Sequence, residues 1–323
     1  MKVSVIIPTY NGAHKISNIL QALTQQTYTD FETIVVIDGS TDNTQEVIES
    51  FKNKLPHLKV IVQENKGRGA VRNRGAKEAN GDLFVFFDDD MIPLNNCIEE
   101  HIKHHQKFPN TINTGDLAED STKCKTDIQK YKAYLSGVWS KTLSGYIGKP
   151  LKKERIFITA ANFSILKNTF ETLNGFDENL NDIEDFDLAV RAYKANINMY
   201  YSYNAFAWHN EYITCQSYIK RQRQYSIAID QLEKNKPELY SEFQSTKIKT
   251  PKGLKYLIFL FFAANFWIWT IDKCNWLIIL PKKLRYKIYD LTITSNGVFF
   301  PNKISFKTIV FFLSFLLKQN NYS

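Results

Sequence analysis

The chain has 323 residues, 44% of them hydrophobic, with 41 Lys and Arg against 33 Asp and Glu. That length suits one large domain plus a tail, and the sequence has no internal repeat or low-complexity tract, which excludes repeat and fibrous classes. Four cysteines, Cys97, Cys124, Cys215 and Cys274, lack metal-ligand spacing and read as reduced structural thiols. The positive charge is uneven: residues 245–323 hold 12 Lys and Arg against 2 Asp and Glu, net +10, leaving 29 against 31, net −2, for residues 1–244.

From the first residues the chain alternates strand-like and helix-like segments. VSVIIP (3–8), ETIVVID (32–38), LKVIVQ (58–63) and DLFVFFD (82–88) are continuous apolar runs, the pattern of strands buried on both faces. Helix-like segments cover roughly 13–26, 43–53 and 69–79. Such alternation predicts βαβ units and an α/β fold with a mostly parallel sheet flanked by helices, whose ligand sits at the carboxyl ends of the strands.

Those carboxyl ends can be read directly. The fourth run stops in Asp88, Asp89 and Asp90. Carboxylates are hard ligands for Mg²⁺ or Mn²⁺, and on an extended chain the first and third of them point the same way and can converge on one cation. Taken alone, the triplet also reads as a solvated turn after a strand. The first run ends in Pro8, Thr9, Tyr10 and Asn11, and the second in Asp38, Gly39 and Ser40, followed by Asp42. The third enters ENKGRGAVRNRG (64–75), where Gly67 and Gly69 open a helix carrying Arg68, Arg72 and Arg74. A ring, carboxylates, a cation site and guanidinium groups on one rim suit a nucleoside diphosphate. Each has a plainer role available: Tyr10 packing, Asp42 capping a helix, the glycines turning the chain. The third glycine of a dinucleotide fingerprint is missing, so NAD binding is not expected.

Over residues 1–230 the chain resembles the inverting family-2 glycosyltransferases, which have the GT-A fold. The resemblance rests on VSVIIPTYNG, VIDGSTDNT, ENKGRGAVRNRGAKEANGDLFVFFDDD, LNGFDENL and IEDFDLAVR, in that order. It implies that Pro8, Thr9 and Tyr10 wall the uracil and ribose, that Asp38 contacts the uracil, and that Arg72 lies near the donor. Asp88 and Asp90 are similar to the DxD pair, the first toward ribose or sugar and the second on the metal, Mn²⁺ or Mg²⁺, with Asp89 grouped among the donor-binding residues. The donor implied is a UDP-sugar. The implied halves are 1–110 for the donor and 111–235 for the acceptor and the base.

The base is sought in NDIEDFDLAVRAYKAN (181–196), where Phe186, Ala189, Val190 and Tyr193 recur at helical spacing and Glu184, Asp185 and Asp187 fill the first turn. Acids there also serve as ordinary helix-start chemistry, and Asp187 is expected to pair with Arg191 at the surface or in a groove. The family's ED motif falls on Glu184 and Asp185, which makes Asp185 the expected general base, with Glu184 beside it in the catalytic pair. The resemblance implies attack by an acceptor hydroxyl with inversion at the anomeric carbon. His209 stands where several family members carry a histidine near the metal or diphosphate, and equally reads as a packed residue beside Trp208.

Three further segments bear on the acceptor and on location. TAANFSILK (159–167) and FETLNGFDENL (170–180) resemble the acceptor-side strand and turn, with Phe176 and Asp177 in the turn before the base helix. YIKRQRQYS (218–226) offers Arg221 or Arg223 to a diphosphate, and carries Tyr225 where processive synthases have tryptophan. Residues 115–150 contain Tyr131, Tyr134, Trp139 and Tyr146, the pattern of a flexible acceptor loop or of one apolar helix face.

Residues 245–323 are expected to be a basic, aromatic-rich helical tail. Within it LKYLIFLFFAANFWIWTI (254–271), NWLIILP (275–281) and ISFKTIVFFLSFLL (304–317) are apolar but short of, or interrupted within, a membrane span. Basic residues beside such segments suit helices lying on an anionic membrane surface, with one spanning helix or a homo-oligomer face as alternatives. A strand starting at Val3 leaves no room for a signal peptide, so the expected location is cytoplasmic, on the inner membrane surface, with a glycan or lipid-linked acceptor. Transfer from another nucleotide sugar to a polyprenyl phosphate is the alternative activity, and a non-catalytic scaffold the alternative class. The positive charge sits with apolar tracts rather than a recognition motif, so nucleic acid is not an expected partner.

Overall fold

The computed structural model describes residues 1–209, 211–240, 242–243, 251–274 and 276–300. Its strands are β1 (Val3–Thr9), β2 (Phe31–Asp38), β3 (Leu58–Gln63), β4 (Leu83–Phe87), β5 (Met91–Pro93), β6 (Ile112–Ala118), β7 (Asn162–Leu166) and β8 (Met199–His209). Its α-helices are α1 (Ile16–Leu23), α2 (Thr44–Glu49), α3 (Arg68–Lys77), α4 (Cys97–Lys107), α5 (Asp127–Leu143), α6 (Lys167–Thr172), α7 (Glu184–Lys194), α8 (Cys215–Asn235), α9 (Pro237–Tyr240), α10 (Leu254–Phe262), α11 (Asn265–Trp269) and α12 (Lys282–Thr294). They form two compact units. The first holds residues 1–120, 135–211 and 238–243; the second holds 121–134, 212–237 and the segment after 243.

The first unit is built on one mixed, mostly parallel sheet in the order β3-β2-β1-β4-β7-β6-β8-β5. Strands β1 to β4 run parallel, β7 runs antiparallel to both β4 and β6, and β8 is parallel to β6. The strand order reverses between β1 and β4, the switch point at which open α/β sheets take their ligands. Thr9 and the acidic triplet therefore stand at the crevice.

The continuous apolar runs of β1, β2 and β4 are buried as expected, but β3 is not. It is the edge strand, and Lys59 and Val62 face solvent, Val62 with 58% exposure. A continuous run marks burial on both faces only where neighbours flank the strand. Below the sheet, Val3, Val5 and Ile7 pack with Ile16, Ile19 and Leu20 of α1 and Ile98 and Ile102 of α4. On the opposite face, as strand alternation requires, Phe86 stacks on Phe163 at 4.8 Å between centroids and meets Phe170 and Phe176. Truncating Phe86 to alanine should cost about 3–5 kcal/mol.

Two local features shape the site. The β6–β8 register shifts between Gly115 and Asp116, leaving a bulge that Asn162 fills by donating to the carbonyls of Asp116 (3.0 Å) and Ala205 (2.8 Å). A Cβ on Gly115 would lie 2.3 Å from the Ala205 carbonyl oxygen, so the bulge requires glycine there. Before α7, Ile183 adopts φ 57°, a left-handed conformation that costs a β-branched residue about 1–2 kcal/mol. Burial of its side chain offsets that cost and fixes the turn that presents Glu184 and Asp185.

Of the two readings of residues 115–150, a flexible acceptor loop or one apolar helix face, the segment is largely helical: α5 spans 17 residues, with Asp127 in its first turn and Ile128 and Tyr131 buried, while Tyr134 and Trp139 are exposed. In the second unit, Asp127 accepts from Arg285 Nη2 (3.0 Å) and Tyr289 (2.8 Å), and Asp272 accepts from the backbone N–H groups of Cys215 and Gln216 at the start of α8. Arg223 donates to the Asn296 carbonyl at 2.7 Å, and Arg221 lies over the Tyr225 ring at 4.1 Å, so both basic side chains have structural work within that unit. The apolar stretch 254–271 is broken into α10 and α11, and among the described residues no helix is long and apolar enough to cross a membrane. The apolar segment 304–317 lies outside the described residues. None of the four cysteines is in a disulfide.

Candidate active site

The acidic triplet does not behave as an extended strand end. β4 stops at Phe87, and residues 88–90 lie in a turn before β5. The two-residue alternation expected to aim Asp88 and Asp90 together is lost there: Asp88 turns to Arg72, while Asp89 and Asp90 share Lys15. Asp88 accepts from Arg72 Nη2 at 2.5 Å. Asp89 is buried, accepting from the Thr9 hydroxyl (2.6 Å) and pairing with Lys15 Nζ (2.8 Å). Asp90 lies 3.8 Å from Lys15 Nζ and 3.6 Å from His209 Nε2. Burial works to raise the Asp90 pKa, but the His209 ring and Lys15 outweigh it and hold the carboxyl at about 2. Asp89 raises the pKa of Lys15 against the opposing effect of burial.

Arg72, on α3, joins the two halves of the site. Its guanidinium contacts Asp88 on one side and Glu184 Oε1 at 2.6 Å on the other, and its face lies 5.8 Å from the Phe176 ring. Burial would discharge the guanidinium, yet the two carboxylates raise its pKa further. Helix α3 is placed by its glycines. Gly67 has φ 89°, accessible to glycine without strain, and a Cβ on Gly69 would approach the Asp177 carbonyl to 2.9 Å. Asn73 completes the seam by donating to the Phe176 carbonyl (2.9 Å) and accepting from the Phe176 N–H (2.9 Å). Phe176 and Asp177 thus form the expected turn.

Asp185 stands beside this clamp without entering it. Its oxygens accept from the N–H groups of Phe186 (2.8 Å) and Ala160 (3.3 Å), and its side chain is only partly exposed. Burial and the adjacent Glu184 carboxylate push its pKa up to about 7, the range of a working general base. Asp187 does pair with Arg191, at 2.7 Å, but it is wholly buried rather than at the surface or in a groove. Tyr240 also donates to it at 2.5 Å, so Asp187 is a structural anchor of α7.

On the donor side, Tyr10 is 54% exposed and therefore offers a ring face. Asp38 is buried and accepts from Gln63 Nε2 (2.7 Å) and from the N–H groups of Lys66 (2.9 Å) and Gly67 (3.0 Å), so it also shapes the loop leading into α3. Pro8 is partly buried. Asp42 does not take the capping position, since the N-cap of α2 is Asn43; it closes the turn before that helix by accepting from the Thr44 N–H and also accepts from the Ala13 N–H, both at 3.2 Å.

Sequence reasoning missed Lys15 and Glu119. Glu119 Oε1 lies 3.4 Å from His209 Nδ1, so His209 sits between Asp90 and Glu119, and Ser136 of α5 donates to Glu119. A single lysine and a single glutamate in loops carry no pattern; only the bulge before Asp116 and the length of β8 bring Glu119 and His209 together.

Among the described residues no three His, Cys, Asp or Glu side chains form a complete ligand set. The donor chemistry still fits a divalent cation of the kind that takes one or two carboxylates and completes its shell with phosphate oxygens and water. Asp90 Oδ1 is buried and accepts no hydrogen bond, an oxygen available to such an ion.

The sequence model of glycosyl transferase family 2 matches residues 4–173. Residues here are 38% identical over 116 positions to the uncharacterized glycosyltransferase YfnE of Bacillus subtilis, covering 36% of this chain and 30% of YfnE. The matched span is thus well under two thirds of that relative. The crystal structure of Staphylococcus aureus TarS residues 1–349 with UDP is similar over 93% of this chain and 90% of that one, with TM-score 0.54 and 18% identity. The mannosyltransferase PcManGT of Pyrobaculum calidifontis, in complex with GDP-Man and Mn²⁺, is similar over 91% and 86%, with TM-score 0.58 and 16% identity. At these identities the structural likeness is one of fold, the GT-A type.

Proposed function

Because this chain belongs to glycosyl transferase family 2, we propose that it moves a sugar from a UDP-sugar to a hydroxyl of a glycan or lipid-linked acceptor, with inversion, in cell-surface polysaccharide or glycolipid synthesis. The observation that carries this reading is the Arg72 guanidinium, which contacts both Asp88 at the tip of β4 and Glu184 at the start of α7. It supports reading Asp88 and, next to Glu184, the proposed base Asp185 as parts of one site. TarS, of similar fold, binds UDP and PcManGT binds GDP-Man, so the fold supports a nucleotide-sugar donor, and the uracil rests on the resemblance of Tyr10 and Asp38 to the family's base-binding residues.

In this mechanism Tyr10 and Asp38 receive the uracil side, and Arg72 and Lys15 supply positive charge where the diphosphate departs. Asp90, with Asp88 and His209 beside it, would hold Mn²⁺ or Mg²⁺, which when bound offsets the charge developing on the leaving diphosphate. Asp185 takes the proton of the acceptor hydroxyl as that oxygen attacks the anomeric carbon. Glu184 keeps Arg72 in place and, as a near neighbour of like charge, keeps Asp185 basic. The enzyme is proposed to work at the cytoplasmic face of the membrane, a reading supported by the basic tail and by exposed Trp276, Ile279 and Leu284 around Lys282 and Lys283.

Proton NMR of UDP-sugar hydrolysis by the protein with Mn²⁺ tests the stereochemistry. The β-anomer should appear first from a UDP-α-sugar and then mutarotate. Initial release of the α-anomer would contradict single displacement.

A further inference from the structure

We propose that Trp139, on α5, is the stacking platform for a pyranose ring of the acceptor; this rests on the transferase reading above and adds the second substrate's subsite to it. Within the first unit, the last two turns of α5 are held against the functional strands. Ser136 donates to Glu119, and Ser140 donates to Asp116 Oδ1 at 2.7 Å. Glu119 in turn faces His209, which faces Asp90. Ser136, Ser140 and the buried Leu143 share one face of the helix at three- and four-residue spacing, and Trp139 borders that face.

The indole is 48% exposed although its backbone position is fixed. It meets the ring of Phe157 edge-on, at 5.7 Å between centroids and 75° between planes. Phe157 is three residues before Ala160, whose N–H donates to Asp185. That is at most about 10 Å of extended chain, the scale of one or two sugar rings. Trp139 is therefore tied to the metal-side carboxylates through the serines of its helix and to the base through Phe157.

The surroundings favour a sugar over an acyl chain. At three- and four-residue spacing Trp139 has Ser136 and the exposed Thr142 beside Leu135 and the buried Leu143, and a side chain at Gly137 would meet nothing within 4 Å. A flat, half-exposed ring with the hydroxyl residues Ser136 and Thr142 at its borders fits the C–H face of a pyranose while leaving its hydroxyls in water. The ring's hydroxyl edge is then free to turn toward Asp185.

The test uses the full chain labelled with fluorotryptophan, its Trp139 resonance assigned with Trp139→Phe. The probes are the methyl β-glycosides of glucose, galactose and N-acetylglucosamine, added with UDP and Mn²⁺ present. At least one glycoside should shift the Trp139 resonance saturably. By saturation-transfer NMR on that glycoside, Trp139→Ala should weaken binding about tenfold and Trp139→Phe by less than about threefold, while UDP affinity, which reports an intact fold, stays within about twofold. Glycoside binding that leaves the Trp139 resonance unmoved or survives Trp139→Ala would overturn the proposal, as would failure of all three glycosides on protein that binds UDP. A Trp139-dependent glycoside shift in protein that does not bind UDP would support the subsite and sink the donor reading instead.

Discussion

Arg72 and Glu184, 112 positions apart in sequence, form an ion pair at 2.6 Å with side chains only 5% and 4% exposed. A pair this deep is held by geometry rather than by net attraction, since each charge has lost its water. Its consequence is directional: α3, α7 and the tip of β4 are fastened at one point, with Asp185 one residue from the fastening.

Breaking that pair should be costly. Glu184→Ala leaves the guanidinium with one carboxylate and should lower stability by about 3–5 kcal/mol in urea unfolding, with Glu184→Gln losing less because it still accepts a hydrogen bond. Arg72→Lys should behave as a loss too, because an ammonium does not present the planar fork that reaches Asp88 and Glu184 together. An unchanged midpoint in Glu184→Ala would show that the pair does not fasten the site.

Asp185 should control the rate and its pH dependence. The base works only when deprotonated, and its pKa is raised to about 7, so kcat/KM should climb tenfold per pH unit below about 7 and level off above it. Asp185→Asn should abolish turnover with UDP affinity retained. The same substitution should raise the melting temperature at pH 8, because a carboxylate with a raised pKa binds protons more tightly in the folded chain and so costs stability once it ionises. Turnover in Asp185→Asn comparable to the parent protein would remove Asp185 from the mechanism.

Lys15 should compete with a metal ion at the acidic turn. Its ammonium lies 2.8 Å from Asp89 and 3.8 Å from Asp90. Lys15→Met should tighten Mn²⁺ binding in the absence of nucleotide, roughly fivefold for about 1 kcal/mol of repulsion removed. Asp90→Ala should do the reverse and weaken metal-dependent UDP binding. Electron paramagnetic resonance titration of Mn²⁺ measures both, and weaker Mn²⁺ binding in Lys15→Met would contradict the competition.

Acid should unfold the chain through a histidine cluster that lies outside the proposed catalytic residues. His101, His104 and His105 of α4 are buried against Ser164, Asn162 and Thr111, and burial pushes their pKa values down to about 4, 4 and 3. The unfolded chain then takes up protons first as pH falls through 6.5, so stability is full above that value and declines toward pH 4. With all three contributing, the slope approaches roughly 4 kcal/mol per pH unit. Denaturant midpoints at pH 7 and pH 5 should differ accordingly, and His101→Gln should flatten the dependence; equal midpoints would refute it.

Much of the N-terminal half was legible because continuous apolar runs flanked by neighbouring strands are buried on both faces, as in β1, β2 and β4. The exposure of β3 was not, since nothing in LKVIVQ says that no strand lies beyond it. At the site, residue types were legible and partners were not. Asp88, Asp89 and Asp90 announce acid chemistry, but their separation toward Arg72, Thr9 and His209 follows from a turn that local pattern does not encode. Of Phe186, Ala189, Val190 and Tyr193, read as the apolar face of α7, Ala189 and Val190 are buried, joined by Leu188, Ala192 and Asp187, while Phe186 and Tyr193 stay partly exposed. Beside the expected Arg191 one turn on, Tyr240 satisfies that carboxylate from a distance in sequence that periodicity does not see.

The most direct test of the central claim is calorimetric titration of the full chain with UDP, GDP and dTDP, each with and without Mn²⁺. The account predicts binding of UDP that strengthens with Mn²⁺ and far exceeds that of GDP and dTDP. Preference for GDP would contradict the uridine donor, and failure of all three nucleotides with Mn²⁺ present would contradict the assignment of this rim as a nucleotide-sugar site.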